Sequence, residues 1–377
     1  MNWEQPTENS IEAIRHGMQH LDGVEFDLRL TTDDQLVLHH DRKVALESKR
    51  LEGRPPHPEE WAIDELKDVG FDGFEDLLDD STFMDHWRSG SKTVCIELKR
   101  PHPRVGRTDW HSGRRTTDHL VRMLQRVDEA LEPHDLPVGT TVIYAFHGKM
   151  TEVGRRASSR HPTASLRPVL LPWGNDLWNR AAAAPSFVLR SFKRLNQLQR
   201  TSGAPMLPCA LEYLTPPMNR LPLGRHVGLT GRARENLLDL SEGYPRFVWS
   251  APLKRESALL DAGCTPLTDD ADPSISTRPD GRLRWPRPLS QPLDPDDLSE
   301  LRDLPKEEHA HFIQRRTEDQ PLWHDLDAAE RRSHLQEWRR RWRWKASLDS
   351  LDRNDGTVPW EGVRILGHRG AGRTGDH

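Results

Sequence analysis

The sequence predicts an α/β protein built on a (β/α)8 barrel of the TIM type. Two observations carry this. Short apolar, β-branched runs alternate with segments of helical period, the pattern of parallel βαβ units. Polar residues also gather where the strand-like runs end, as they do on the C-terminal face of such a barrel. The 377 residues suffice for one large domain and an appendage.

The elements follow in order. Ile11, Ile14, Met18 and Leu21 recur at helical spacing with Glu12, Arg15 and Gln19 between them, and Gly23 closes the helix. In the strand from Gly23 to Leu30, Glu25 and Asp27 lie two residues apart and share one face. Gln35 to Leu38 is a further short strand running into His39-His40-Asp41. Residues 42–90 mix charge, Pro and Gly, and are expected to be an inserted, loop-rich subregion. Thr93 to Lys99 is another β-branched strand with polar residues at its end. Leu120, Met123, Leu124, Val127 and Leu131 mark a helix, and Thr140 to Phe146 a strand. From 160 to 240, prolines, an alanine run and weak periodicity assign no element. Arg246 to Trp249 and Cys264 to Asp269 read as the last two strands, with a helix from Ser257 to Gly263 between them. Residues 276–355 read as a linker and helical appendage. Val363 to Gly367 is then a lone strand pattern that ends in His368-Arg369-Gly370.

Composition narrows the function class. Lys+Arg 54 against Asp+Glu 59 gives a net charge of −5, which argues against a strongly basic nucleic-acid binder. No run of about 18 apolar residues indicates a transmembrane helix. No basic segment followed by an apolar stretch opens the chain, so a cytoplasmic protein is expected. Cys95, Cys209 and Cys264 are scattered, two of them within strand-like runs, and read as buried thiols in a reducing compartment.

Glu25, Asp27 and Glu97 are carboxylates inside otherwise apolar strands, so each needs a cation or donors if buried. Converging at one barrel mouth, they would form a hard oxygen site suited to Mg²⁺ or Ca²⁺. Taken alone, Glu-x-Asp more often marks a strand face that meets solvent. Lys99 shares the face of Glu97 and would place a positive charge beside the metal; alone it is an ordinary solvated pair. Strand alternation does not decide between His39 and His40. His368-Arg369-Gly370 combines a proton-transfer residue, an always-charged fork and a turn glycine. Around Trp338 to Lys345, Leu335, Trp338 and Trp342 fall at helical spacing. That face is expected to pack on the barrel; the alternative is contact with anionic lipid headgroups.

Taken together, these motifs resemble the glycerophosphodiester phosphodiesterase family. The resemblance rests on Glu8-Asn9, Gly23-Val-Glu-Phe-Asp-Leu-Arg-Leu30, Leu36-Val-Leu-His-His-Asp41, Ile96-Glu-Leu-Lys99, Val248-Trp249, Leu267-Thr-Asp269 and His368-Arg369-Gly370. It implies a metal-dependent hydrolase that cleaves glycerophosphodiesters to an alcohol and glycerol phosphate. By resemblance, Glu25, Asp27 and Glu97 hold one divalent cation, and His40 and His368 are the acid–base pair. Arg369 and Lys99 clamp phosphoryl oxygens, Glu8 orients a ligand or the glycerol, and Trp249 lines the alcohol pocket. Gly367-His-Arg-Gly-Ala-Gly372 is similar to the subgroup acting on glycerophosphocholine-like diesters. Two alternatives stay open: a lysophospholipase D-like or sphingomyelinase D-like enzyme on lipid substrates, and an inactive barrel that binds without turnover. In the family the His-Arg-Gly strand comes first; here it comes last, so the barrel is expected as 1–275 completed by 356–377. Circular permutation, a chain cut from a longer or circular reading frame, and the start of a truncated second domain each give this order.

Overall fold

In a computed structural model, the structure describes residues 4–44, 53–107, 113–137, 139–169, 176–189, 191–222, 224–272, 299–301, 303–305, 308, 311–312, 315, 323–344 and 360–374. Among the described residues, nine strands form one sheet: β1 (Gly23–Leu30), β2 (Leu36–Leu38), β3 (Thr93–Leu98), β4 (Thr141–Ala145), β5 (Thr163–Ser165), β6 (Leu207–Ala210), β7 (Arg246–Ala251), β8 (Thr265–Thr268) and β9 (Leu366–Gly367). Eight run in the order β5-β4-β3-β1-β9-β8-β7-β6, and β2 pairs antiparallel with β1 outside this path. The two ends of the order meet. Arg167, just past β5, bridges Cys209 of β6, with the Arg167 N–H donating to the Pro208 carbonyl and the Ala210 N–H to the Arg167 carbonyl, both at 2.9 Å. The parallel strands therefore close into an eight-stranded TIM-type barrel.

Strand alternation sorts the side chains into two cores. Val24, Phe26 and Leu28 of β1, with Val94, Ile96 and Leu98 of β3, pack outward with residues of the helices Ile11–His20, Ser81–Arg88 and Arg114–Leu131. Cys95, Val142, Tyr144, Ala164, Met206, Phe247, Leu267, Leu366 and Trp360 fill the barrel interior as a separate cluster. Glu97 continues the face of Cys95 toward the C-terminal end of β3, where the apolar filling gives way to charge.

β9 lies between β1 and β8, parallel to both, with Gly367 opposite Val24 and Thr268. Its entry is fixed by Asp22, whose N–H donates to the Ile365 carbonyl at 3.0 Å and whose carboxylate accepts the Ile365 N–H at 2.9 Å. Its exit needs glycine. Gly370 has φ +90°, and a Cβ there would lie 2.6 Å from the backbone of Ala13 and Ile14 in the first helix.

Two intervals differ from expectation. Within 42–90, the helices Ile63–Lys67, Phe74–Leu78 and Ser81–Arg88 bury Leu66, Phe74, Leu77, Phe83, Met84 and Trp87. Each is at most eight residues long, too short to show a period in sequence. Between 160 and 240, β5, β6 and the helices Asp176–Leu189, Phe192–Thr201 and Gly231–Ser241 supply the fifth and sixth units. Strands of three and four residues leave no alternation to read.

The helix Ala328–Arg341 and the residues just after it place Leu335, Trp338, Trp342 and Trp344 in a buried cluster with Trp323, Leu326, Leu238 and Val363. Its tryptophans thus pack on the barrel's outer layer, while Lys345 and most of 276–355 lie outside the described residues. All three cysteines are buried and free. No described helix is long and apolar enough to cross a membrane.

Candidate active site

β1 outruns the barrel ring, and this places His40. Its last residues pair with β2 from Leu28↔Leu38 to Leu30↔Leu36, so the chain turns back toward the mouth. The His39 N–H then donates to the Asp27 carbonyl at 3.1 Å, returning His39 and His40 to the level of the acidic residues. Asp27 and Glu97 are register partners across β1 and β3. Carboxylate oxygens of Glu25, Asp27 and Glu97 lie within 4.8 Å of one another, all three residues buried. The Lys99 ammonium sits 2.8 Å from Asp27 Oδ1 and 2.6 Å from Glu97 Oε1. Asn9 clasps Asp27 twice: its Nδ2 donates to Oδ2, and its Oδ1 accepts the Asp27 N–H, both at 2.9 Å. The Arg369 N–H donates to Glu25 Oε2 at 2.9 Å.

The electrostatics of this triad are unbalanced. Burial, then the charges of Asp27 and Glu97, push the Glu25 carboxyl well above the usual carboxylate range. Burial also raises Glu97, against the pull of Lys99. Asp27 goes the other way: burial opposes ionisation, but Lys99 and Arg369 hold it below its ordinary value. Three hard oxygen donors that cannot all ionise unaided are a donor set that fits a divalent cation.

Each histidine is oriented by a carboxylate. His40 Nδ1 is 2.7 Å from Asp41 Oδ1, so that nitrogen carries the proton and Nε2 accepts from Arg369 Nη2 at 2.7 Å. His368 Nδ1 is 2.6 Å from Asp269 Oδ1, which leaves Nε2 turned toward Glu25 Oε2 at 3.9 Å. Burial holds both imidazoles below the ordinary histidine value; Lys99 and Arg369 add to this at His40, and Asp269 opposes it at His368. Asp269 is held down to about 2; burial resists this, and His368 and Arg373 produce it.

The sequence-selected residues meet here, with some partners not foreseen. Arg369 joins Glu8 at 2.6 Å and His40, and lies over the triad, its Nε 3.9 Å from Asp27 Oδ2. Glu8 is also clasped to the C-terminal segment, accepting the Thr374 N–H at 3.0 Å. Trp249 packs edge-on against Phe146 at 5.4 Å between ring centres, and Lys99 lies 6.0 Å from that Phe146 ring. Asn9, Asp41 and Asp269 stand within the sequence motifs but carry no role there, and Phe146 lies outside them. For Asn9 and Asp41 the signal is adjacency to Glu8 and His40, and for Asp269 its place at a strand end.

The model of the glycerophosphoryl diester phosphodiesterase family matches residues 2–95. This stretch is similar to that phosphodiesterase family. It contains Glu8, Glu25, Asp27 and His40, and the resemblance read from the motifs stands with it. Among solved structures, a glycerophosphodiester phosphodiesterase from Parabacteroides distasonis is similar at 16% identity and TM-score 0.45, over 71% of this chain and 88% of its own. One from Thermotoga maritima is similar at 17% identity and TM-score 0.37, over 64% and 79%. An Oleispira antarctica phosphodiesterase, solved with the product sn-glycerol-3-phosphate, is similar at 13% identity and TM-score 0.41, over 68% and 83%. No curated protein matches the chain in sequence.

Proposed function

We propose that the chain hydrolyses glycerophosphodiesters to an alcohol and glycerol phosphate, with Glu25, Asp27 and Glu97 holding one divalent cation and His40 and His368 transferring protons. One observation supports this above the rest: a buried carboxylate triad faces two carboxylate-oriented imidazoles at one barrel mouth. The cation, Mg²⁺ or Ca²⁺, would supply neutralisation of charge on the phosphoryl oxygens. Arg369 and Lys99 add positive charge on the same side. One imidazole takes a proton from the attacking water as its oxygen bonds phosphorus, and the other gives a proton to the alkoxide that leaves phosphorus. Burial leaves both neutral at rest, and the entering diester anion favours protonation of the imidazole beside it. Trp249 and Phe146 offer an apolar wall for the alcohol.

The rotated strand order reads best as a circular permutation of one barrel. β9 occupies the gap between β1 and β8, and the Asn9 N–H donates to the Arg369 carbonyl at 3.0 Å, stitching the two terminal segments together. Deleting residues 363–377 should then abolish turnover and lower the melting temperature; unchanged values in both would reject the permutation. The activity itself is tested on a panel of glycerophosphodiesters and lysophospholipids, with Mg²⁺ and Ca²⁺ compared. Release of alcohol and glycerol phosphate is expected. Tight diester binding without release, or full turnover in a metal-free preparation, would overturn the reading.

A further inference from the structure

We propose that Arg29 and Glu59 are positioning residues for His40, a role that rests on the reading of His40 as a proton-transfer group. Arg29 lies two residues past Asp27 on β1, where the strand has left the ring to form the hairpin. Its side chain is 2% exposed and that of Glu59 is 0% exposed, with Nη1 to Oε1 at 2.6 Å. The other arm of the guanidinium, Nη2, donates to the backbone carbonyl of His40 at 2.8 Å. One planar fork therefore joins a strand of the barrel, the backbone of the acid–base histidine and a carboxylate from an inserted segment.

That segment is built around the same loop. The His57 Nδ1 lies 2.7 Å from the Arg42 carbonyl, and the Val44 N–H donates to the Pro56 carbonyl at 2.9 Å. On its other side the Thr32 N–H donates to the Trp61 carbonyl at 2.9 Å, and the Ile63 N–H to the Asp33 carboxylate at 3.1 Å. Residues 56–63 thus bridge the hairpin turn and the loop after His40, and Glu59 stands at their centre. The His40 ring is held by Asp41 and Arg369; the Arg29 contact holds its backbone carbonyl.

Stability alone is a poor reason for this pair. A fully buried Arg–Glu pair gives up two hydration shells, and its replacement by apolar residues of similar volume is often neutral or stabilising. What an apolar pair cannot do is donate to the His40 carbonyl. Lysine would not serve either, since a point charge lacks the fork that reaches two acceptors in fixed geometry.

The experiment compares turnover of sn-glycero-3-phosphocholine with Mg²⁺ and thermal melting for the full chain. The variants are Arg29→Met with Glu59→Leu together, Arg29→Lys, and His40→Ala as the control. The double variant should melt at or above the parent, yet its kcat should fall on the order of 10- to 100-fold with KM little changed, the size expected of a misplaced reacting group. Arg29→Lys should fold and show the same split. A double variant with parental kcat would make the pair merely structural and overturn the proposal. If the double variant does not fold, Arg29→Lys decides, and parental kcat there overturns it. His40→Ala separates the two readings: if that change leaves turnover intact, the role of His40 fails first, and the positioning role with it.

Discussion

Gly370→Ala tests whether the C-terminal segment is docked as described. At φ +90°, an L side chain costs about 1–2 kcal/mol of backbone strain. The added Cβ would also lie 2.6 Å from Ala13 C and Ile14 N and 2.8 Å from Ala13 O, all backbone atoms of a helix that cannot swing aside. Overpacking of this kind costs about 1–3 kcal/mol more. The expected loss is therefore roughly 2–5 kcal/mol, relieved in part by lifting the turn that carries His368 and Arg369. Gly106→Ala is the matched control, because Gly106 has φ +78° with nothing within 4 Å of its would-be Cβ. That control should lose only the strain, about 1–2 kcal/mol. Urea unfolding of the two variants should differ by the contact term, and kcat should fall about 10- to 100-fold in Gly370→Ala alone. Equal unfolding curves and equal turnover in both variants would show that the turn does not lie against the first helix.

Three further outcomes follow from the site. His40→Ala and His368→Ala should each lower kcat by at least about 10²-fold, and His39→Ala by much less, since His39 turns to the Lys43 carbonyl; an essential His39 beside a dispensable His40 would move the motif by one residue. Glu25→Gln imitates the protonated carboxyl, so without added cation it should unfold no earlier than the parent. It should also lose most of the stabilisation that Mg²⁺ or Ca²⁺ gives the parent, about 2.7 kcal/mol at a hundredfold excess over Kd, so a retained cation-dependent melting shift would remove Glu25 from the ligand set. Asp269 is depressed to about 2 from 3.8, so its contribution is present above the unfolded value and lost as pH falls through the folded one. Asp269→Asn should destabilise by about 2 kcal/mol near neutrality and by about half as much near pH 3, and a gap constant across that range in urea midpoints would refute the assignment.

Much of the site was legible because local rules place it. A period of two puts Glu25 with Asp27, and Glu97 with Lys99, on the inner faces of β1 and β3. Strand ends mark His368 and the pair His39-His40, of which the family resemblance selects His40. What stayed hidden were contacts between distant segments. No spacing rule joins Arg29 to Glu59, or Glu8 to Thr374, which are 30 and 366 residues apart. Nor could Phe146 be chosen from its own strand, since its partner Trp249 arrives from β7.

The sequence by itself determined the alternation of strands and helices, the acidic and basic residues that share a strand face, and the strand pattern that carries His368-Arg369-Gly370. These are properties of neighbours within a few residues, where backbone geometry fixes which side chains point together. Only the tertiary structure decided that Leu366–Gly367 enters between β1 and β8, that three carboxylates crowd until two resist ionisation, and which nitrogen of each histidine a carboxylate holds. Those depend on ring closure, on burial and on partners brought from across the barrel, and a one-dimensional pattern carries none of the three.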